Sequence, residues 1–162
     1  MTKEQTMSQS EILSEHEVTI ERVFDAPREL VWAAWTTPAQ IEQWFAPRPV
    51  TIKPGSVVVE PRPGGAFCLV MVMPDGTEFP NIGTFSEFDE PSRLAFGGRV
   101  ENHPGLSAAS TTVTFTDLGD GRTAVAVTNT IMSSDEMPEL ARRGWMQCLE
   151  QIAELLAAPD ER

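Results

Sequence analysis

The histidine, cysteine and serine side chains of this sequence do not combine into a nucleophilic catalytic set. His16 and His103 are the only histidines, and no motif pairs either of them with Cys68, Cys148 or a serine. A serine nucleophile of the α/β-hydrolase type would need a Gly-x-Ser-x-Gly elbow, which the sequence lacks. Because a weak nucleophile works only beside a base that activates it, the sequence predicts no serine or cysteine hydrolase.

Metal and nucleotide cofactors also find no matching motif. A zinc site needs clustered cysteine and histidine ligands, and the two histidines and two cysteines are scattered. The glycine pairs Gly64-Gly65 and Gly97-Gly98 stand alone, without the surrounding pattern of a phosphate-binding loop. We therefore expect no cofactor and no metal.

A carboxylate in an apolar setting is the remaining candidate for chemistry. By the period of two in a strand, Asn81 and Glu87 share a face with Phe79 and Phe85. A buried carboxylate on such a face could act as general acid or base. The competing interpretation of Glu87, a surface residue paired with an arginine, is the one that we favour.

Other polar side chains could orient a ligand without reacting with it. They include Arg99 and Asn129. His103 lies in an Asn-His-Pro-Gly segment and is interpreted as an exposed loop residue. Glu60 and Arg62 are two positions apart in an extended segment, which predicts a surface ion pair.

The length and the net charge of the chain limit the classes of protein to which it can belong. The 162 residues fit one domain, and the formal net charge of -12 arises from 24 acidic against 12 basic residues. Such a field repels phosphate, so nucleic acid and anionic membranes are poor partners. No segment has the ~20 apolar residues of a membrane span, and the acidic N-terminal residues do not resemble a signal peptide. We expect a soluble, cytoplasmic protein with reduced thiols.

The helices are predicted from proline positions and apolar spacing. An alternating strand over 18–24 is followed by Pro27, which suits the first turn of a helix. Thr37-Pro38 should break that helix and begin a second short one. An amphipathic helix is predicted over about 135–156, with a capping box in which Ser133 serves the backbone of Glu136.

Between these helices the sequence reads as an antiparallel meander. Short runs of alternating or β-branched residues are separated by turns such as Pro74-Asp75-Gly76. The predicted strands are 51–60, 66–73, 79–88, 93–96, 110–116 and 123–130.

Several motifs occur together in an order that resembles a known family. They are Arg22-Val23-Phe24-Asp25-Ala26-Pro27, Val31-Trp32, Trp44-Phe45, Arg62-Pro63-Gly64-Gly65-Ala66-Phe67, Gly83-Thr84-Phe85-Ser86-Glu87, Pro91-Ser92-Arg93-Leu94 and Gly144-Trp145. The chain is similar to the bacterial branch of the family named for the activator of the heat-shock-protein-90 ATPase. That family lies within the START-like and pollen-allergen-like helix-grip superfamily, which includes polyketide cyclases and lipid carriers.

The resemblance implies an α+β helix-grip fold. A seven-stranded antiparallel sheet would wrap around the long C-terminal helix, with two short helices after the first strand. The domain is expected to span 16–158, with a flexible arm over 1–15 and a frayed tail over 159–162. Glu60-Pro61-Arg62 departs from the family pattern, and its proline should end or bulge the local strand.

The same resemblance implies a ligand cavity between the sheet and the C-terminal helix. The residues predicted to bind the ligand are Phe45, Phe67, Leu69, Met71, Phe79, Asn81, Phe85, Glu87, Phe96, Trp145, Leu149 and Ile152. Three functions stay open: a carrier or sensor of an apolar or amphipathic small molecule, which we favour; a cofactor-free cyclase, dehydratase or hydrolase; and a co-chaperone-like interaction module. The protein would be a monomer or a homodimer.

Overall fold

The computed structural model describes residues 13–157. Proline and β-branched runs divide this part of the chain into strands and helices much as their spacing predicts. The elements are β1 (Ser14–Phe24), α1 (Arg28–Thr36), α2 (Pro38–Trp44), β2 (Thr51–Ile52), β3 (Val58–Val59), β4 (Ala66–Val72), β5 (Glu78–Asp89), β6 (Arg93–Val100), β7 (Leu106–Asp117), β8 (Thr123–Ser133) and α3 (Met137–Ala157).

The strands form one curled antiparallel sheet in the order β1-β8-β7-β6-β5-β4-β2. Both short strands pair with β4: Ile52 lies opposite Met71, and Val59 lies opposite Phe67. They therefore share one edge position, so the sheet has seven positions, which confirms the predicted seven-stranded helix-grip architecture. The strand predicted over 51–60 is divided by a turn in which Gly55 has a φ of 79°, a conformation that glycine adopts without strain.

Two prolines determine where α1 and α2 begin. Pro27 precedes α1 with a φ of -67°, and Pro38 opens α2, because proline presets the helical φ and has no N–H to satisfy. The buried face of α1 carries Val31, Trp32, Ala34 and Trp35.

The apolar core occupies one end of the groove between sheet and helices. Trp35 and Trp44 meet there edge to face, with ring centroids 4.6 Å apart, and Trp35 also contacts Phe115 from β7 at 6.1 Å. The second half of α3 closes this end with Leu149 and Ile152, both fully buried. The first half of α3 lies over the other end of the groove, which is not filled.

The predicted start of the first strand, at residue 18, needs correction. β1 begins at Ser14, opposite Ser133 of β8, so regular strand pairing reaches two residues into the predicted arm. Residues 1–12 of that arm and the predicted tail over 159–162 lie outside the described residues.

The predicted ion pair between Glu60 and Arg62 is confirmed, because their side chains approach to 3.5 Å.

The predicted capping box at the start of α3 is wrong. Ser133 is still part of β8, and its buried hydroxyl donates to the Ser134 carbonyl at 3.0 Å. The helix starts at Met137, whose N–H donates to the Ser134 carbonyl at 3.2 Å. Strand pairing of Ser133 with both β1 and β7 therefore takes precedence over the local capping pattern.

Candidate functional site

A cavity of about 490 Å³ lies between the concave face of the sheet and the first half of α3. Strands β4 to β8 form its floor, and the segment after α2, with Phe45, Pro47 and Val50, forms one side. Its volume falls within the roughly 300–1,000 Å³ of small-molecule sites. Leu140 belongs to the lining although it is 54% exposed, so the cavity opens to solvent beside the start of α3.

Small residues in neighbouring strands give the cavity its depth. Gly83 of β5 lies opposite Gly98 of β6, and Gly98 lies opposite Ala109 of β7. All three residues line the cavity. The two glycines have no side chain and Ala109 has only a methyl group, so this row leaves room for a ligand.

The glycines are also required by the close approach of the strands. A Cβ at Gly98 would overlap the Ile82 carbonyl oxygen and lie 2.6 Å from the Gly83 Cα. Both neighbours are backbone atoms, which cannot move aside without distorting the sheet.

We expect Gly98→Ala to lower the free energy of unfolding by about 1–3 kcal/mol, the usual cost of overpacking. Urea unfolding followed by circular dichroism measures this loss. Thr84→Ala on the exposed side of β5 is the control and should change stability by less than about 0.5 kcal/mol. An unchanged Gly98→Ala protein would contradict the close approach of β5 and β6.

Aromatic rings form the walls of the cavity. Phe67 and Phe96 lie 4.2 Å apart between centroids, and Phe45 meets Trp145 edge to face at 5.8 Å. Trp145 is itself stacked on Trp35, with ring centroids 5.8 Å apart and an interplanar angle of 12°. The core tryptophan thereby fixes the orientation of the wall tryptophan.

Asn129 and Thr111 form a buried polar pair on the floor. Asn129 is 4% exposed, and its amide Nδ2 donates to the Ser110 carbonyl at 3.3 Å and to the Thr111 hydroxyl at 3.1 Å. Since a carbonyl can only accept, this contact fixes which end of the amide carries the nitrogen. The sequence named Asn129 as a possible ligand-orienting group, and its position in the lining agrees with that interpretation.

His103 lies in the loop between β6 and β7, as predicted, but its side chain is partly buried at the rim of the cavity and not exposed. Its ring contacts that of Phe79 at 4.8 Å, and its Nδ1 accepts the Gly105 N–H at 3.1 Å. Burial lowers the pKa of His103 below its ordinary value, because a charged imidazolium loses hydration there. The fold of the segment after β6 against Phe79 produces this burial, which a loop motif alone does not reveal.

Most of the predicted ligand-binding residues meet at this cavity. Those in the lining are Phe45, Phe67, Leu69, Met71, Phe79, Asn81, Phe96 and Trp145. Three others, Phe85, Leu149 and Ile152, are fully buried in the core, because they lie toward the filled end of the groove. Their assignment to the ligand site is corrected to core packing.

Glu87 is also outside the cavity, and a β-bulge explains why. The pairing of β5 with β6 shifts between Phe85 and Glu87, so the period of two fails and Glu87 turns outward. Its carboxylate accepts a hydrogen bond of 2.6 Å from the Arg93 Nε, which confirms the favoured surface-pair interpretation. Phe88 takes the inward position instead and contacts Trp32 with centroids 5.3 Å apart.

The cavity offers little reactive chemistry within residues 13–157. Its lining contains no aspartate, glutamate or lysine, and the one arginine in it, Arg99, pairs its guanidinium with Glu101 at 2.9 Å. Cys148 reaches the wall, but burial raises the pKa of its thiol to about 12, so it stays protonated at neutral pH. No cluster of three potential metal ligands occurs in the described part of the chain.

Sequence reasoning missed the small residues of the floor and the residues at the start of α3. Gly83, Gly98 and Ala109 have no periodic pattern that marks a cavity, although Gly97-Gly98 within a strand does indicate a close backbone approach. Met137 and Leu140 at the start of α3 belong to the lining, and only the docking of the helix reveals this.

Among the described helices, none combines the length and the hydropathy that a membrane crossing requires.

A curled antiparallel sheet around a C-terminal helix, with an apolar cavity between them, defines a helix-grip protein. The family model described as activator of Hsp90 ATPase homolog 1-like protein matches residues 25–157. The chain belongs to this family, which confirms the resemblance that its motif order indicated. No curated protein matches the sequence.

Solved structures of bacterial proteins share this fold. A protein from Nitrosomonas europaea is 28% identical with a TM-score of 0.69, and the match covers 86% of this chain and 93% of that one. A protein from Arthrobacter aurescens is also 28% identical, with a TM-score of 0.72 and coverage of 89% and 87%. A protein from Chromobacterium violaceum, at 24% identity, TM-score 0.79 and coverage of 88% and 98%, supports the fold alone.

Proposed function

We propose that this protein binds an apolar or amphipathic small molecule in the cavity between the sheet and α3. The observation that carries the proposal is the row Gly83, Gly98 and Ala109, which leaves about 490 Å³ unfilled beneath the helix. Natural cores are packed to crystal-like density with few voids larger than a water molecule. An apolar space of this size with an opening is therefore better explained as a binding site than as core.

The two other functions find less support in the described residues. An acid–base enzyme needs a titratable group within reach of its substrate. Besides the exposed Arg99 and the protonated Cys148 thiol, the lining supplies only His103 on the rim. A co-chaperone role needs a docking surface for a large partner, and the family relationship alone supports it. The carrier or sensor hypothesis accounts for more of the geometry than either.

Filling the cavity is expected to abolish binding without unfolding the protein. Ala109→Phe should weaken the binding of the uncharged dye Nile red more than about tenfold, a loss of 1.4 kcal/mol, because the ring occupies the space above the floor. Ser110→Phe is the matched control, since Ser110 is the next residue of β7 and is exposed on the opposite face. Dye fluorescence titrations measure affinity, and circular dichroism melts check the fold.

Equal dye binding by the two variants would refute the cavity as the binding site. The natural ligand can be sought in parallel by native mass spectrometry of protein purified from its own host. A small molecule released only on denaturation would identify a carrier or sensor and its ligand.

A further inference from the structure

We infer that the cavity selects an uncharged, largely aromatic molecule with one hydroxyl or carbonyl group, which Asn129 on the floor or His103 on the rim holds by a hydrogen bond. This inference rests on the proposed function and specifies the chemical class of its ligand. The cavity would bind such molecules more tightly than fatty acids and other carboxylates, which are also largely apolar but carry a charge.

The charge of the lining argues against ionised ligands. A charge that leaves water must be paired and hydrogen-bonded, or the transfer is strongly unfavourable. The lining provides no buried cation for a carboxylate ligand, because the side chain of Arg99 is 64% exposed and pairs its Nε with Glu101. It also offers a cationic ligand no carboxylate, since Glu87 lies outside and is paired with Arg93. The net charge of -12 further disfavours the approach of anions.

Asn129 and His103 each present a hydrogen-bonding atom to the cavity that no described residue uses. The amide nitrogen of Asn129 donates to the Ser110 carbonyl and the Thr111 hydroxyl. Its Oδ1 has no donor among the described residues. His103 accepts the Gly105 N–H at Nδ1, so its neutral form carries the proton on Nε2 and can donate it. The lowered pKa of His103 keeps this neutral form dominant at pH 7. These two side chains thus provide an acceptor and a donor without net charge.

The walls favour a flat ring system. Trp145, Phe45, Phe67 and Phe96 surround the space with rings in edge-to-face and tilted contacts, and aromatic pairs of this kind gain about 0.5–1.5 kcal/mol beyond area burial. Beside Phe67 and Phe96, on the same face of the sheet, Gly83 and Gly98 present bare backbone. A planar ligand can lie against such a floor more closely than a branched one.

The test compares three probes of the same shape: 4-phenylphenol, biphenyl and biphenyl-4-carboxylate. Their affinities are measured by displacement of Nile red at pH 7, where the phenol is neutral because its pKa is near 10. We expect the phenol to bind more tightly than biphenyl, and the carboxylate to bind at least about tenfold more weakly than the phenol. A carboxylate that binds as tightly as the phenol would overturn the inference while leaving the proposed function intact. Absence of binding by Nile red and all three probes would instead refute the proposed function.

Two variants then test which side chain forms the hydrogen bond with the ligand. Asn129→Leu and His103→Phe are measured separately, each after a melt that establishes folding. In at least one of them the advantage of phenol over biphenyl should vanish. If it survives in both, the assignment of the polar anchors is wrong.

A cation introduced at the wall should reverse the preference for neutral probes. Met73 lines the cavity and is partly exposed, so a lysine can reach the space while its stem stays on apolar surface. Met73→Lys is expected to raise carboxylate affinity relative to the phenol, whereas the control Met132→Lys, at a position exposed on β8, should not. An unchanged ratio in both variants would show that the missing cation is not what excludes carboxylates.

Discussion

Trp44→Ala is expected to destabilise the protein by about 3–5 kcal/mol, the usual cost of removing a buried tryptophan. Trp44 is 1% exposed and packs against Trp35 with centroids 4.6 Å apart. Its indole N–H donates to the Ala34 carbonyl at 2.7 Å. That carbonyl would normally accept the N–H of residue 38, but Pro38 has none. Trp44 therefore completes the end of α1 that the proline leaves open.

A matched pair of phenylalanine substitutions separates this hydrogen bond from simple burial. Trp44→Phe removes the N–H and leaves a buried acceptor without a donor, which costs about 1–3 kcal/mol. Trp35→Phe removes a similar ring area, but the Trp35 N–H has no partner among the described residues. Trp44→Phe should accordingly be the more destabilising, by about 1 kcal/mol or more. Urea unfolding followed by far-ultraviolet circular dichroism measures both. Equal losses would show that the Ala34 contact contributes nothing.

Gln151→Leu should cost about 2–4 kcal/mol, because it leaves two buried carbonyl groups without donors. The Gln151 Nε2 donates to the carbonyls of Trp44 and Ala46, each at 3.0 Å. Its Oε1 accepts the Arg48 Nε at 2.7 Å. One side chain thereby joins α3 to the segment that follows α2, which is also the segment that forms the side of the cavity.

Two companion variants define the role of Gln151. Gln151→Glu keeps the shape of the side chain, but an ionised carboxylate cannot donate to the carbonyls. Its negative charge would also face their partially negative oxygens. This variant should therefore be at least as destabilising as Gln151→Leu. Arg48→Ala leaves both carbonyls satisfied and removes only the contacts of a largely exposed side chain with Gln151 and Glu154. Its cost should stay below about 1 kcal/mol. Thermal melts compare the three. A Gln151→Leu protein as stable as Arg48→Ala would contradict a structural role for the amide.

The cavity explains why the core is divided. Trp35, Trp44 and Phe115 fill one end of the groove, which supplies stability, while small residues on the sheet keep the other end open. Trp145 joins the two ends through its stack on Trp35. Substitutions in the filled end are therefore expected to act mainly on stability, and substitutions at Ala109 mainly on binding.

The sequence by itself determined the order of elements, the two helix starts at Pro27 and Pro38, and the inward face of β4 and of β5 as far as Phe85. These follow from local rules: proline fixes φ, and a strand alternates its side chains with a period of two. Eight of the twelve predicted ligand-binding residues line the cavity because they lie on regular strands or next to helices whose period could be counted. The family resemblance supplied the seven-stranded architecture into which those faces could be placed.

Only the tertiary structure decided which inward residues meet open space and which meet core. The bulge after Phe85 turns Glu87 outward, and no local pattern marks where a ladder will slip. The burial of His103 against Phe79 and the hydrogen bonds of Gln151 to Trp44 and Ala46 join residues far apart in the chain. Such contacts depend on how sheet and helix dock, because a side chain acquires its surroundings from every element that packs against it.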